Sequence, residues 1–152
     1  MLQTPNQPLN ALGEQENQTR LRKKPDLQWV FNDENAGTPE KSERFFTIEC
    51  KCLSTSTEEH NYVDKGISRF VLDEWGYGRN EKSGIMVAYM KDKDKDKHLC
   101  RINKHNDKYA YPLLIICSSE NEDVYRYIQK FETREFEPKR FSLHHLWVNV
   151  SK

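Results

Sequence analysis

Long apolar stretches are absent from this sequence. Hydrophobic residues make up 36% of the chain, and no run approaches the roughly 18 apolar residues that a membrane-spanning helix needs. The amino terminus also lacks the charged and then apolar pattern of a secretory leader. These absences predict a cytoplasmic protein without a membrane partner, in which a small core is accompanied by long solvated segments.

Net charge is also absent. The 24 Lys and Arg residues balance the 24 Asp and Glu residues. A neutral protein has no overall field that would draw it onto DNA or an anionic membrane, so any nucleic-acid contact must depend on a local basic patch. The length of 152 residues suits a single domain with a real core.

No pair of cysteines has the CxxC spacing of a redox or zinc motif. The four cysteines are Cys50, Cys52, Cys100 and Cys117. Cys50 and Cys52 are too close along one strand to bridge easily. A zinc site built from distant Cys and His residues stays open, but free thiols that pack as small hydrophobes in a reducing compartment are favoured.

The amino-terminal region has little to bury. Residues 1–12 are rich in Gln, Asn and Pro, which predicts a flexible arm ahead of a single domain over residues 13–152. From Glu14 the chain carries strong helix formers, with acidic residues first and basic residues last, until Pro25 ends the pattern. Farther along, the sign of charge alternates strictly over residues 91–97, which predicts a solvated loop.

Two strand patterns face each other near the start of the domain. Residues 26–31 and 45–53 are rich in β-formers and are joined by a polar loop that contains Gly37 and Pro39, which predicts an antiparallel hairpin. Alternation of side chains places Glu49 and Lys51 on the same face of the second strand. If the loop is centred near Thr38, paired positions sum to about 76, and Asp26 lies opposite the region of Cys50.

The remaining patterns predict a mixed α/β core. An amphipathic helix is expected after a polar loop over residues 54–61, because apolar residues recur at helical spacing and the series ends at Gly76: they are Val63, Ile67, Phe70, Val71 and Trp75. Residues 84–90 form an apolar run of strand length. Residues 124–131 and 141–150 alternate or carry β-formers and predict a second hairpin.

Two carboxylates and an ammonium group therefore converge at the open end of the first hairpin. Mg²⁺ prefers oxygen ligands, and it is often held by one or two protein carboxylates together with substrate phosphate, which suits Asp26 and Glu49. The backbone carbonyl of Cys50 would offer another oxygen ligand. A bound ion activates water, and the ammonium group of Lys51 can stabilise charge on a phosphate, so this combination indicates metal-assisted phosphodiester hydrolysis.

The order of these residues resembles a known signature. Pro25-Asp26, 22 intervening residues and then Glu49-Cys50-Lys51 are similar to the PD-(D/E)xK motif of restriction-endonuclease-like nucleases. The resemblance implies a restriction-endonuclease-like core, an α+β fold whose mixed central sheet is flanked by helices, with an added C-terminal β-hairpin. It also implies that Asp26 and Glu49 hold Mg²⁺ or Mn²⁺ and that Lys51 serves catalysis. Many members add a Glu from the first helix, and Glu16 is the nearest match.

A group of small bacterial proteins of this superfamily is also similar to the chain, through Phe46-Thr-Ile-Glu-Cys-Lys51, Tyr62-Val-Asp-Lys-Gly-Ile-Ser-Arg-Phe-Val71, Gly84-Ile-Met-Val87 and Leu143-His-His-Leu-Trp147. The implied function is a metal-dependent nuclease acting on nucleic acid, with DNA favoured and a link to defence expected. The alternative is a catalytically silent interaction module of the same fold: an immunity, antitoxin or adaptor protein. A protein partner or a homodimer is open in both cases.

Other residues enter the candidate site by charge or by chemistry. A small basic patch for nucleic-acid contact is predicted from Lys23, Lys24, Arg69, Arg79 and Lys82. Arg69 has two uses, since a lone Arg on a helix also pairs readily with a carboxylate. His144 and His145 point to opposite faces of the last strand, and His145 is kept as an outlying candidate for a general base or metal ligand. A surface salt bridge is the simpler interpretation of Glu49 and Lys51.

Overall fold

The computed structural model describes residues 24–38 and 43–152. Several predictions fall outside these residues: the flexible arm over residues 1–12, the helix starting at Glu14, and the candidate residues Glu16 and Lys23. The domain that follows from Lys24 contains two α-helices, one 3-10 turn and six strands. No helix in the two described ranges is long and apolar enough to cross a membrane.

The strands form one mixed sheet in the order β1-β2-β3-β6-β5-β4. The elements in chain order are β1 Leu27–Asn32, β2 Glu43–Leu53, α1 Ser56–Asp64, the 3-10 turn Ile67–Phe70, β3 Ser83–Met90, α2 Lys95–Lys108, β4 Ile115–Asn121, β5 Val124–Phe131 and β6 Phe141–Asn149. The central strands β2, β3 and β6 run parallel, whereas β1 and the β6-β5-β4 half are antiparallel. An α+β fold with a mixed sheet is therefore confirmed.

The first hairpin has nearly the register expected from its loop. Leu27 pairs with Ile48 and Asn32 with Glu43, so paired positions differ by one residue from the prediction. Continuing this register by one step places Asp26 opposite Glu49. The second hairpin, β5 with β6, also forms as predicted. Both pairings were predictable because strand alternation and loop length fix a hairpin locally.

The core lies on one face of the sheet, and both helices cover that face. Met86 of β3, Leu143 and Trp147 of β6, and Tyr127 of β5 are 0–1% exposed. Tyr62 of α1 contacts this layer through His145 of β6, and Ile102 of α2 belongs to the same apolar cluster. Within the described residues the second face carries no helix. The expected flanking helices therefore occupy one side only.

The helix predicted from Val63 to Trp75 is wrong in its boundaries. Helix α1 begins at Ser56, inside the stretch expected to be a loop, because Thr55 and Glu58 form a reciprocal capping box. It ends before Gly66, where a β-carbon would collide with the carbonyl oxygen of Tyr62. The next apolar residues, Ile67 and Phe70, are buried as well, but they belong to the 3-10 turn and not to the helix. The apolar spacing thus predicted burial correctly and helix continuity incorrectly.

Helix α2 overlaps the residues 91–97 for which a solvated loop was expected. It begins at Lys95 because the side chain of Asp94 accepts a hydrogen bond from the amide of Lys97 at 3.2 Å. One turn later, His98 is fully buried between Glu59 (Nδ1 to Oε1, 2.7 Å) and Asp92 (Nε2 to Oδ1, 2.8 Å). The loop prediction is therefore wrong for residues 95–97, because the charge pattern gave no sign of these tertiary partners.

Candidate functional site

Asp26 is hydrogen-bonded to the second strand of the hairpin, β2. It directly precedes β1, and its Oδ2 accepts a hydrogen bond from the backbone N–H of Cys50 at 2.7 Å. The residue is exposed. The sequence prediction that Asp26 meets the region of Cys50 is confirmed. The backbone of Cys50 therefore takes part in the site through its amide.

Glu49 is a buried carboxylate with two cations on one oxygen. The residue is 1% exposed and lies on the helix-covered face of β2. Its Oε1 accepts hydrogen bonds from Nζ of Lys51 and from Nη1 of Arg69, the latter at 2.6 Å. Its Oε2 is buried and has no hydrogen-bond partner among the described residues. Burial of an ionised acid requires such pairing, but this pairing satisfies only half of the carboxylate.

The 3-10 turn after α1 delivers Arg69 to this carboxylate. Its guanidinium lies 4.4 Å from the ring centroid of Trp75 and 5.8 Å from that of Tyr77. These cation–π contacts hold the planar group against an aromatic wall. Its Nε is buried without a hydrogen-bond partner in the described part of the chain. Two roles were expected for Arg69, contact with phosphate and pairing with a carboxylate, and the structure shows the pairing, with Glu49.

Tyr77 closes the site from the loop that follows the 3-10 turn. Its hydroxyl is buried and has no hydrogen-bond partner within the described ranges. Burial raises the pKa of this phenol to about 12, the negative charge of Glu49 adds to the rise, and the charge of Arg69 opposes it. The hydroxyl is therefore protonated at neutral pH, and it lies near enough to Glu49 and Arg69 for both charges to affect its pKa.

Arg134 holds the loop that carries Tyr77. Arg134 is 4% exposed and donates to backbone carbonyls at both ends of the segment: Phe70 (3.2 Å), Tyr77 (3.4 Å), Gly78 (2.9 Å) and Glu81 (3.2 Å). Positive φ angles at Gly76 and Gly78 allow the chain to turn between them. The loop geometry thus depends on a residue from the distant connection between β5 and β6.

The cysteines do not form a second centre. All four are free thiols, as the sequence favoured. Burial raises the pKa of the Cys50 thiol, and the charge of Asp26 adds to this effect, so the thiol is protonated at neutral pH. No group of three or more His, Cys, Asp or Glu side chains in residues 24–38 and 43–152 is arranged to hold a metal ion.

The predicted basic patch is only partly available for phosphate. Arg79 pairs with Asp73 at 2.6 Å and stacks on Phe136, 4.7 Å from its ring centroid. Lys24 and Lys82 are exposed. Since Arg69 is bound to Glu49, Lys24 and Lys82 are the members of the predicted patch in the described ranges that are both exposed and outside the ion pairs above.

His145 lies in the core rather than beside Asp26. It shares the row of Glu49 and Met86 across the sheet, but the strand β3 separates it from Glu49. The hydroxyl of Tyr62 accepts a hydrogen bond from Nε1 of Trp147 and shares a second hydrogen bond with Nδ1 of His145, at 2.8 Å. Burial, aided by the charge of His144, lowers the pKa of His145 to about 3. It is a neutral packing residue at pH 7.

Sequence reasoning missed three contributors to the site: Trp75, Tyr77 and Arg134. Trp75 was assigned to a helix face, and Tyr77 only marked the end of that helix. The cluster of aromatic residues and glycines after Arg69 is the one local signal of a turn whose aromatic side chains pack against the guanidinium of Arg69. Arg134 gives no local signal for its role in the site, since the four carbonyls that it binds in the segment carrying Tyr77 are more than 50 residues away in the chain.

No protein-family model, curated protein or solved structure matches this chain. The function of the chain is therefore inferred from the geometry of the site and from the resemblance of its motif.

Proposed function

We propose that this protein is a divalent-metal-dependent nuclease that hydrolyses phosphodiester bonds, with DNA as the favoured substrate, on a restriction-endonuclease-like core. One observation carries the proposal. Oε2 of Glu49, a residue opposite Asp26 when the hairpin register is continued, is buried and has no hydrogen-bond partner among the described residues, while Oε1 of the same carboxylate receives two cations. A divalent cation that takes Oε2 as a ligand would account for this asymmetry.

A purely structural ion pair does not account for it as well. The chain contains such a pair for comparison: Arg44 binds Glu81 through both oxygens, with Nε to Oε1 at 2.7 Å and Nη2 to Oε2 at 3.1 Å. This is the usual fork geometry of a stabilising Arg–carboxylate bridge. Arg69 instead contacts only one oxygen of Glu49, and an unsatisfied buried carboxylate oxygen costs about 1–3 kcal/mol. The strain on Glu49 is typical of a binding site rather than of a stabilising bridge.

The donors that remain fit a hard cation. Oε2 of Glu49 and Oδ1 of Asp26 are carboxylate oxygens on neighbouring strands in the same register, and Mg²⁺ or Mn²⁺ takes such ligands together with waters and substrate phosphate. The carbonyl of Cys50 and the carboxylate of Glu16 are further proposed ligands. When bound, the ion supplies a water of lowered pKa and neutralises charge on the phosphate.

The cations then have separate tasks. The side chain of Lys51 is 22% exposed, so its ammonium group reaches solvent from the buried acid and is placed to stabilise negative charge on a phosphate oxygen. Arg69 is held against the Trp75 ring and orients Glu49. Tyr77, whose hydroxyl is buried, encloses this pair from the loop after the 3-10 turn.

A catalytically silent interaction module is the second candidate, and the neutral charge of the chain favours it. The experiment incubates purified protein with linear, supercoiled and single-stranded DNA, and with RNA, with Mg²⁺, with Mn²⁺ or with EDTA. We expect metal-dependent cleavage that Glu49→Gln and Lys51→Met each reduce by about 100-fold or more. Lys93→Met, on an exposed lysine between β3 and α2 that belongs neither to the site nor to the predicted basic patch, is the matched control and should cleave like the wild type.

A second readout separates metal binding from chemistry. Mn²⁺ should raise the melting temperature of the wild type and of Lys51→Met, but not that of Glu49→Gln. Equal cleavage by all variants would show contamination and refute the enzyme. A wild type that neither cleaves nor responds to metal would leave the silent module as the function.

A further inference from the structure

Strand β1 lies at one edge of the sheet and exposes more apolar surface than edge strands usually do. All six of its residues are exposed, and the four large apolar ones keep about half of their surface in solvent: Leu27 52%, Trp29 49%, Val30 56% and Phe31 52%. The strand contains neither charge nor proline. Among the described residues no strand pairs with the side of β1 that faces away from β2. Natural proteins usually protect such an edge with charge, proline or a bulge.

The opposite edge of the same sheet shows this protection. Strand β4 also has exposed apolar residues, including Ile115 and Ile116, but its pairing with β5 is irregular at two places. The shifts lie between Ile116 and Ser118 and between Ser119 and Asn121. Such irregularities bend an edge and disrupt a continuous ladder. The regular, uncharged edge is therefore β1.

We infer that two copies of this chain associate through antiparallel pairing of their β1 strands, around a two-fold axis at Trp29. In this register Trp29 faces Trp29, Leu27 faces Phe31, and Gln28 faces Val30. Leu27, Trp29 and Phe31 share the face of the sheet that carries no helix in the described ranges, so every apolar side chain on that face meets another one. A two-fold interface requires such self-complementarity.

Neighbouring registers fit less well. A two-fold axis through an antiparallel strand pair sets residues of the same sheet face opposite each other, so the nearest alternatives are centred on Gln28 or on Val30. Centring on Val30 would set Leu27 against Asp33 of the other copy, and centring on Gln28 would set Phe31 against Pro25, outside the strand. The pairing centred on Trp29 avoids both contacts and uses the whole strand. The occupant inferred here is therefore a second copy of the chain, and the inference does not depend on the proposed nuclease activity.

The expected association is weak and depends on concentration. An aromatic side chain buries roughly 150–250 Å², so the exposed halves of Trp29 and Phe31 offer about 200 Å² per copy, to which Leu27 and Val30 add. The resulting interface is below the size of a standard stable complex. A dissociation constant in the micromolar range follows, so the protein should pass from monomer to dimer within ordinary working concentrations.

Sedimentation velocity on the full chain, from about 1 to about 200 µM, tests this inference. Val30→Lys should raise the dimer dissociation constant by about tenfold or more, because it places two ammonium groups in the paired edge. Ile116→Lys is the matched control: both residues are β-branched, lie on the same face, and are 56% and 55% exposed at opposite edges. It should shift the constant by less than about twofold.

Disulfide trapping tests the register even if Val30→Lys impairs folding. Mixing Gln28→Cys protein with Val30→Cys protein under mild oxidation should give an intermolecular disulfide between positions 28 and 30, since facing residues in an antiparallel pair have Cα atoms about 4.5–5.5 Å apart. Neither variant alone should form it, and peptide mapping distinguishes it from links of the native cysteines. A monomer at every concentration without this disulfide, or equal effects of the two lysine variants, would overturn the inference.

Discussion

Replacing Arg134 with methionine should destabilise the fold more than any exposed charge replacement in the same region. The guanidinium donates to five backbone carbonyls, the shortest contact being Nε to the oxygen of Pro138 at 2.6 Å. It also stacks between Phe136 and Phe141, at 4.2 and 4.0 Å from their ring centroids. Arg134→Met keeps much of the apolar stem but leaves the carbonyls without a donor.

The size of the effect follows from two opposing contributions. Hydrogen bonds from a charged donor contribute about 1.5 kcal/mol each at the low end of their range, or about 7 kcal/mol for five. Burial and the nearby charge of Arg79 lower the pKa of Arg134 from 12.5 to about 10, which corresponds to about 3 kcal/mol against the buried cation. We therefore expect Arg134→Met to reduce the free energy of unfolding by about 4 kcal/mol.

Urea denaturation followed by circular dichroism measures this difference. Arg140→Met is the control, because Arg140 is 88% exposed and its bridge to Glu132 is on the surface; its effect should stay below about 0.5 kcal/mol. The loop that carries Tyr77 should loosen as well, so Arg134→Met should speed amide exchange at Tyr77 and Gly78. An unfolding free energy within about 1 kcal/mol of the wild type would refute the anchoring role.

Two further predictions concern stability. His145 is neutral in the fold with a pKa of about 3, whereas in the unfolded chain it titrates near 6.5, so the unfolded state binds the proton first and stability falls as the pH drops through this window. Between pH 7 and pH 5.5 the wild type should lose about 1 kcal/mol more than His145→Gln in urea titrations; equal losses would contradict the buried neutral state. Thr55→Ala should cost about 1 kcal/mol through loss of the α1 cap, while Thr57→Ala, inside the helix, should change thermal stability little.

The first hairpin shows what local pattern can predict. Asp26 and Glu49 are brought together by strand alternation and by the length of one loop, and both are visible in the sequence. The register differed from expectation by a single residue. The pairing of Lys51 with Glu49 follows from the same alternation. These contacts are close along the chain, so little beyond strand geometry is needed to place them.

The helices show where local pattern fails. The apolar spacing from Val63 onward described the buried face correctly, but Gly66 packs so tightly against Tyr62 and Met86 that the helix ends there. The charged residues near Lys95 include no apolar residues whose spacing would predict a helix. They are nevertheless helical, because Asp94 caps the helix and His98 has buried partners. Tertiary contacts override propensity at both places.

The sequence by itself determined five of the six described strands, the two hairpins and the meeting of Asp26 with the region of Cys50, because alternation and turn length act over neighbouring residues. Only the tertiary structure decided that Arg69 shares the oxygen of Glu49 with Lys51, and that the other oxygen is left buried without a partner. That arrangement requires the turn after Gly66 and the loop anchored by Arg134, whose contacts join residues more than 50 positions apart. Such contacts depend on the packing of the whole sheet and have no periodic signal in the chain.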